Sequence, residues 1–534
     1  MTIIKSKSIE NNTIFKTDIC IIGSGMSAQI IASSLKNKKL ILVESGKISY
    51  DKSIQNLNHF ETKGLKFREN HKNRIRQLGG SANLWANQLM YLDKEDIEKR
   101  DWVINDFAWP ISYKELNSYY EKILNLLFEI NIKKKFFLNE FPEKYFDSKI
   151  YNYFCNDDVF SYSNHFWPSN VENFNLKSNF TRNLLKLKNV RFIENFTCTN
   201  LNIIDGTNKI GSVDIQTDSK NCKIESKIFI LACGALENAR IILNNEKKSK
   251  LFNNLNTGRY FMDHPRKNLG FLKLKKKIDI NSFYGIKNLN NEIKTSIKLS
   301  AKSIKENKLL NSHCYIDPKL SSEDLIFFEN VMNCIKNLVK FKNFNKLNLK
   351  MFNLNKISQL IYFFLPKQVS YSFLNAFILN YFKIIKPNFI FDELDLNLQS
   401  EQFPNYASKV YLSNNVDEYK QNTLIVDWQL HELDFRSINM FQSLIKAKIK
   451  NSNLFSYHEP KNHEVTDASH HSGTTRISKN KKDGVVDLNC KFHDIDNLFI
   501  SGSSTFRVSG SANPGLTNLA MSLRLAEHIN KLDD

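Results

Sequence analysis

Two apolar runs near the start of the chain flank a segment with helical spacing. Residues 18–22 (Asp-Ile-Cys-Ile-Ile) predict a buried parallel strand, because their apolar residues are consecutive rather than alternating. Apolar residues then recur at helical spacing from Ala28 to Leu35, and residues 40–43 predict a second strand that ends at Glu44. The pattern predicts a β–α–β unit.

The turn inside this unit has the spacing Gly-x-Gly-x-x-Ala, with glycines at Gly23 and Gly25. Such glycines permit a tight turn and let a pyrophosphate approach the backbone at the N-terminus of the helix. Glu44, which follows Gly23 by 21 residues, can accept hydrogen bonds from ribose hydroxyls. We therefore predict a dinucleotide site, although the unit alone does not separate FAD from NAD.

Three more glycine-containing segments lie downstream. Residues 76–85 form a loop between an Arg and a Trp, and residues 229–240 predict a buried strand that runs into a helix. Residues 498–504 predict another strand that ends in a glycine turn. Their recurrence indicates that distant parts of the chain contribute to one nucleotide-binding unit.

The composition is that of a globular protein. The chain has 534 residues, 42% of them hydrophobic, and its length predicts about three to four domains or two large ones. The net charge is +20, but the lysines are scattered, and the short basic clusters at 133–135 and 275–277 lack a nucleic-acid-binding motif. We expect a solvated basic surface and no nucleic-acid partner.

The cysteines and the N-terminus bear on the compartment. The 8 cysteines are dispersed without a Cys-x-x-Cys pair, which favours free thiols in a reducing compartment. Residues 1–16 lack the apolar core of a secretory signal. We expect a cytoplasmic protein.

The apolar stretch 360–382 is the one segment that suggests a membrane. Pro366 and Lys367 interrupt it, and the charge-free piece that follows, 368–382, is shorter than the about 20 residues of a spanning helix. We expect no transmembrane span. A peripheral membrane or partner-protein contact through this stretch is the less favoured alternative.

These segments together resemble the glucose–methanol–choline (GMC) oxidoreductase family of flavoenzymes. They occur in the family's order and leave 121–180 and 275–400 unmatched. The segments that carry the resemblance are GSGMSA (23–28) with VESG (43–46), RQLGGSANLW (76–85), WPISYKEL (109–116), FILACGALENARIIL (229–243), GRYFMDHP (258–265), EQFPNYASKVYLS (401–413), HHSGTTRIS (470–478), GVVDLNCKFHDIDNLFISGSS (484–504) and SGSANPGLTNLAMSLRLAEHI (509–529).

The resemblance implies a mixed α/β and α+β fold with two domains. A doubly wound, Rossmann-like FAD-binding domain would be discontinuous and consist of residues 1–110, 181–275 and 465–534. A substrate-binding domain with an antiparallel sheet and helices would consist of 111–180 and 276–464. The implied activity is oxidation of the CH–OH group of an alcohol, by analogy a sugar or polyol, with FAD as cofactor and an unidentified electron acceptor.

The resemblance also implies which residues bind FAD. Some family members attach FAD covalently through a histidine immediately before the tryptophan of the loop, but Leu84 stands at that position, so we expect non-covalent binding. The predicted cofactor-binding residues are Gly23, Ser24, Gly25, Ser27, Ala28, Glu44, Ser45, Gly79, Gly80, Ser81, Asn83, Leu84, Trp85, Cys198, Ala232, Gly234, Gly502, Ser503, Pro514 and Thr517.

Alcohol oxidation needs a base for the hydroxyl proton, and an imidazole suits this role near neutral pH. By the family's spacing before a Gly-Thr pair, His470 is the predicted base and Asn513 its catalytic partner. His471 should point elsewhere in an extended segment, and His264 is interpreted as structural. The four histidines between 458 and 471 match no metal-ligand spacing, so we predict no metal site.

Two alternatives stay open at this point. A flavoprotein lyase would keep the fold and FAD without net redox chemistry. An electron-transfer subunit would use the 360–382 stretch to dock a membrane or protein partner.

Overall fold

The computed structural model describes residues 2–67, 73–103, 108–128, 149–168, 174–279, 291–319 and 390–533. The apolar stretch 360–382 lies outside these ranges. Within them, no helix is both long enough and apolar enough to cross a membrane.

The strands are β1 (Thr2–Ile4), β2 (Ile14–Ile22), β3 (Leu40–Glu44), β4 (Phe60–Gly64), β5 (Phe160–Pro168), β6 (Val190–Glu194), β7 (Thr197–Ile203), β8 (Ile210–Thr217), β9 (Lys220–Leu231), β10 (Arg266–Asp279), β11 (Asn291–Leu299), β12 (Ser312–Lys319), β13 (Ile390–Ser400), β14 (Lys409–Val416), β15 (Asn422–Trp428), β16 (Phe455–His458) and β17 (Leu498–Ile500). The helices are α1 (Met26–Ser34), α2 (Lys94–Ile97), α3 (Tyr113–Phe128), α4 (Lys149–Phe154), α5 (Asn179–Leu185), α6 (Gly234–Asn245), α7 (Ala301–Asn307), α8 (Glu432–Ile449) and α9 (Gly515–Asn530).

A large sheet collects strands from distant parts of the chain. In the part of the chain that the structure describes it has 8 strands, in the order β1-β6-β3-β2-β9-β8-β7, with β17 beside β9. The pairs from β1 to β9 are parallel, and β9-β8-β7 are antiparallel. Ile19 to Ile22 are all buried in β2, which is typical of a parallel strand in the interior of a sheet. The predicted β–α–β unit is therefore β2-α1-β3.

A second sheet is antiparallel and amphipathic. Its order among the described residues is β16-β10-β13-β12-β11-β5. Leu394, Leu396 and Leu398 of β13 lie on the face that packs against α8, in one buried cluster with Ile438 and Phe441. Because side chains alternate along a strand, the polar residues between these leucines face the opposite side. That polar face lies toward the histidines described below.

A smaller sheet joins β14, β15 and β4. A buried ion pair lies between the loop after α2 and the residue that follows β13. Arg100 donates two hydrogen bonds to the Glu401 carboxylate, at 2.7 and 2.5 Å, and both side chains are buried. Glu401 follows β13 directly, so the pair fixes the end of the antiparallel sheet against the loop after α2. Strand β10, which begins inside the range predicted for the FAD-binding domain, pairs in the antiparallel sheet.

Candidate active site

The turn between β2 and α1 brings backbone atoms close to the end of β9. Gly23 has a φ of 102°, and a Cβ there would lie 2.5 Å from the carbonyl oxygen of Ala232. Glycine is therefore required at this crossing. Ala28 is fully buried in α1, and the Ser27 hydroxyl donates to the Asn518 side chain of α9 at 2.8 Å. The turn thus connects β9 and α9 around the N-terminus of α1.

Glu44 is buried at the end of β3. One carboxylate oxygen accepts hydrogen bonds from the backbone N–H and the hydroxyl of Ser24, at 3.0 and 2.7 Å. The other accepts from the backbone N–H of Gly46 at 2.9 Å and from the Ser45 hydroxyl at 3.3 Å. The Glu44 carboxylate therefore joins the Gly23–Gly25 turn to the end of β3 through hydrogen bonds within the protein.

The loop after Arg76 lies against the same turn. Gly79 forms a bridge with Gly25, and the short helix Gly80–Leu84 follows. Asn83 closes this helix by donating to the carbonyls of Leu78 and Gly80, at 3.0 and 2.8 Å.

Three residues of this loop have different environments. Leu84 is 43% exposed. A Cβ at Gly515 would lie 2.8 Å from the Trp85 ring, so Trp85 packs against the start of α9. The Ser81 hydroxyl accepts a weak hydrogen bond from the Ile75 N–H at 3.4 Å.

Gly234 and Gly502 lie in the turns after β9 and β17, and the space beside the backbone at both glycines is open. Gly234 has a φ of 80°, and no heavy atom of the described residues lies within 4 Å of its would-be Cβ. At Gly502 the nearest atom is Nδ2 of Asn238, at 3.7 Å. Both glycines follow parallel strands, where open α/β sheets bind nucleotides. The open backbone at these turns and the N-terminus of α1 fit a dinucleotide.

Cys198, one of the predicted cofactor-binding residues, lies in β7. It is buried, and burial and then Cys20 raise the pKa of its thiol. The neighbouring Thr197 hydroxyl is also buried, and it has no hydrogen-bond partner among the described residues. An unpartnered donor beside the end of β3 is consistent with a ligand at this end of the crevice.

His470 and His264 form a hydrogen-bonded pair. Their Nδ1 atoms are 2.8 Å apart, and Nε2 of His264 lies 2.9 Å from the carbonyl oxygen of Gly510. Burial lowers the pKa of His264 to about 4. The sequence predicts a structural role for His264, and the structure places this residue in direct contact with the predicted base.

His471 points away from this pair, as its extended segment predicts. Its ring packs beside Phe67 and Phe261, with centroids 5.3 and 5.9 Å away. Burial and then the charge of Arg74 lower the pKa of His471 to about 3. The side chain is therefore neutral.

The histidine segment lies directly on the glycine turn after β17. The Ser503 hydroxyl donates to the carbonyl of His471 at 2.6 Å, and the Gly473 N–H donates to the carbonyl of Ser503 at 3.1 Å. The predicted base and the predicted cofactor turn are thus joined by the backbone.

Asn513 precedes α9 and is held at both ends of its amide. Its oxygen accepts from Gln399 at 2.8 Å, and its nitrogen donates to Gln88 at 3.1 Å. Pro514 caps α9, and the Thr517 hydroxyl pairs with that of Tyr120 at 2.7 Å. The structure therefore connects Asn513 to the polar face of the antiparallel sheet.

That polar face adds residues that the sequence motifs did not identify. Nε2 of Gln88 lies 2.8 Å from Nδ1 of His165 and donates to the Tyr315 hydroxyl at 2.6 Å. His313 packs beside both rings, and neither of its ring nitrogens has a hydrogen-bond partner in the described part of the chain. The alternation in β13 was the available signal for such a face.

Within the described ranges, no group of three or more His, Cys, Asp or Glu side chains has the arrangement of a metal site.

Open glycine turns at the end of a parallel sheet, beside a hydrogen-bonded histidine pair, fit a nucleotide-dependent oxidoreductase. The model of the GMC oxidoreductase family matches residues 404–522, which confirms the resemblance seen in the motifs. The family match and the fold support an FAD-dependent oxidoreductase. No curated protein sequence matches the chain significantly.

Solved structures share the fold over 96–98% of the chain. Formate oxidase from Aspergillus oryzae RIB40 is 14% identical with a TM-score of 0.57, and the match covers 98% of this chain and 99% of that one. Pyridoxine 4-oxidase from Mesorbium loti is 13% identical with a TM-score of 0.57, covering 96% and 99%. These similarities confirm the predicted mixed α/β fold.

Proposed function

We propose that this protein oxidises the CH–OH group of an alcohol, a sugar or polyol, with non-covalently bound FAD and with His470 as the base. The observation that carries the proposal is the contact between the His470–Gly473 segment and the glycine turn at Gly502. The Ser503–His471 and Gly473–Ser503 hydrogen bonds hold the imidazole beside the crevice. A base so placed can act on a substrate that also meets the flavin.

The crevice residues described above would hold FAD. The turn at Gly23–Gly25 and the N-terminus of α1 would take the pyrophosphate, and Glu44 the adenosine ribose. When bound, the flavin supplies the acceptor for the substrate hydride. FAD is modified in the A. oryzae formate oxidase, but Leu84 offers no nucleophilic nitrogen here, and non-covalent binding is therefore proposed.

The side chains of this protein supply the proton transfer and the orientation. His470 accepts the hydroxyl proton of the substrate, which raises the electron density on the carbon that gives up the hydride. Asn513 is a neutral side chain held by Gln399 and Gln88, so it can bind the substrate oxygen without competing for the proton. The polar sheet face that carries Tyr315 suits a substrate with several hydroxyls.

Anaerobic flavin reduction tests this function. The flavin-loaded protein is mixed with sugars, polyols and simple alcohols, and with formate and pyridoxine, the substrates in the names of the structural relatives. We expect the absorption of oxidised flavin to bleach with at least one sugar or polyol. Bleaching by formate alone would contradict the alcohol proposal. Consumption of one of these compounds without bleaching would favour the lyase alternative.

A further inference from the structure

Two distant chain segments are paired where the histidines meet. Met262 and Ser472 exchange two backbone hydrogen bonds, and Arg266 and Thr466 exchange two more. Between these bridges the Asp263 carboxylate accepts from the backbone N–H groups of His264, Ala468 and His470, at 2.7, 2.9 and 3.0 Å. The backbones of the two histidines are therefore fixed relative to each other.

The hydrogen bonds assign the protons on both rings. The Gly510 carbonyl can only accept, so Nε2 of His264 carries a proton and donates to it. His264 is buried and neutral, which leaves its Nδ1 without a proton, as an acceptor. The proton between the two Nδ1 atoms therefore belongs to His470, and the neutral His470 ring then carries no proton on Nε2.

We propose that His264 is a positioning residue. It holds His470 in the tautomer whose Nε2 carries no proton, so that this nitrogen can take the substrate proton. This rests on the proposed role of His470. In the step, the substrate O–H bond breaks, an N–H bond forms at Nε2, and the resulting imidazolium keeps donating through Nδ1 to His264. The opposite tautomer would present an N–H to the substrate hydroxyl and could not act as the base.

Other charged and titratable groups face the pair. Arg266 lies two residues after His264 and contributes to lowering its pKa. Burial and then Asp467 raise the pKa of Asp263 to about 7, while its three backbone N–H donors oppose this. His471 is neutral. The pH profiles of the parent and its variants should therefore be compared only where Arg266, Asp263 and His471 are unchanged.

Two substitutions of His264 separate the effect of filling its space from the effect of its hydrogen-bond acceptor. In His264→Asn the amide oxygen can occupy the place of Nδ1 and still accept from His470, whereas His264→Leu removes the acceptor. We expect His264→Leu to keep FAD but to lose flavin reduction by about 10- to 100-fold, because a buried N–H is left unpaired. We expect His264→Asn to stay within about fivefold of the parent.

The pH profile distinguishes positioning from packing. Without the acceptor, the imidazolium of His470 is less stabilised, so the acid limb of the kcat/KM profile of His264→Leu should move to lower pH. The limb of His264→Asn should stay near that of the parent. A packing defect alone would lower the activity of both variants without shifting the acid limb of either kcat/KM profile. Equal activity of His264→Leu and the parent would overturn the proposal, and so would equal loss in both variants.

A measurement without substrate makes the test independent of the proposed function. With selectively 15N-labelled histidine, the flavin-loaded parent should show His470 protonated at Nδ1 and unprotonated at Nε2. The His470 signal is assigned by its absence in His470→Ala. A parent protein protonated at Nε2 of His470 would overturn the inference even if His264→Leu fails to fold. If the tautomer is as expected but no alcohol bleaches the flavin, the proposed function fails and the positioning role stands.

Discussion

Glu44 accepts two hydrogen bonds from Ser24, one from its backbone N–H at 3.0 Å and one from its hydroxyl at 2.7 Å. The acid that the sequence assigns to the ribose therefore also closes the nucleotide turn onto the end of β3. The backbone N–H of Gly46 binds the second carboxylate oxygen. Removing this carboxylate should affect both the cofactor and the turn.

Glu44→Leu should weaken FAD binding about 5- to 150-fold, because buried donors of the protein and the ribose lose their acceptor, at about 1–3 kcal/mol. Glu44→Gln is the matched control, since it keeps one acceptor oxygen and the shape, and it should lose less. FAD titration of the apoprotein measures both. Unchanged affinity in Glu44→Leu would remove this residue from the cofactor site.

The purified protein should be yellow, and acid or heat precipitation should release all flavin into the supernatant. The reason is that Leu84, at the position of covalent attachment in some relatives, has no nucleophilic nitrogen. Absorption spectra of pellet and supernatant check this outcome. Colour that stays in the pellet would contradict non-covalent binding, and a folded colourless protein would contradict the FAD proposal.

A methyl group at Gly234 should project into the crevice, because this turn lies at the end of β9 and no atom in the described part of the chain is within 4 Å of that position. Gly206, in the turn between β7 and β8, is the matched control, since it has a similar positive φ of 73° and equally open surroundings. Both alanine variants should lose about 1–2 kcal/mol of stability from the backbone strain. Only Gly234→Ala should weaken FAD binding, by about tenfold or more. Equal FAD affinity in the two variants would contradict a cofactor at Gly234.

The β2-α1-β3 unit was predictable because its signal is local. Consecutive apolar residues and two glycines lie within 27 positions from 18 to 44, and the strands and helix form where the pattern places them. The strand and helix on either side of Gly234 were predictable for the same reason. Each element needed only its own segment and a sheet to bury it.

The histidine pair was not predictable from such patterns. His264 and His470 are 206 residues apart, and their contact depends on the Asp263 carboxylate and on backbone bridges that leave no periodic trace in the sequence. Gln88 and Tyr315 likewise meet only through the packing of separate elements. The alternating leucines of β13 did indicate an amphipathic strand, but nothing in that strand alone indicates what its polar face contacts.

Glu237 in α6 is a buried acid paired with three arginines, Arg74, Arg76 and Arg240, at 3.2, 2.9 and 3.3 Å. Burial alone would raise the pKa of Glu237, but Arg76, then Arg240 and Arg74, hold it below its ordinary range. Glu237→Gln should therefore cost about 3–5 kcal/mol of unfolding free energy at neutral pH, because it removes the carboxylate that pairs with these buried arginines.

The same cluster predicts a pH dependence with a definite sign. A carboxyl with a depressed pKa in the folded state stabilises the protein above its unfolded pKa, about 4.3, and this contribution is lost as the pH falls below it. The difference between the parent and Glu237→Gln in urea denaturation should shrink at acid pH. Glu225→Gln is the control, since Glu225 pairs with Lys16 at an exposed position, and it should change nothing measurable. A difference that grows at acid pH would contradict the assignment.

His470→Ala should keep FAD and lose flavin reduction by about 100-fold or more, since general-base catalysis contributes roughly 10²–10⁴ in rate. The remaining reduction should rise with pH, as hydroxide or ionised substrate replaces the imidazole. His471→Ala is the control one residue away, because that ring packs beside Phe67 and Phe261 and is neutral. It should stay within about tenfold of the parent. Rapid-mixing measurements of flavin reduction by one substrate decide between the two histidines. An inactive His471→Ala beside an active His470→Ala would identify His471 as the base. Two active variants would place the base outside this segment.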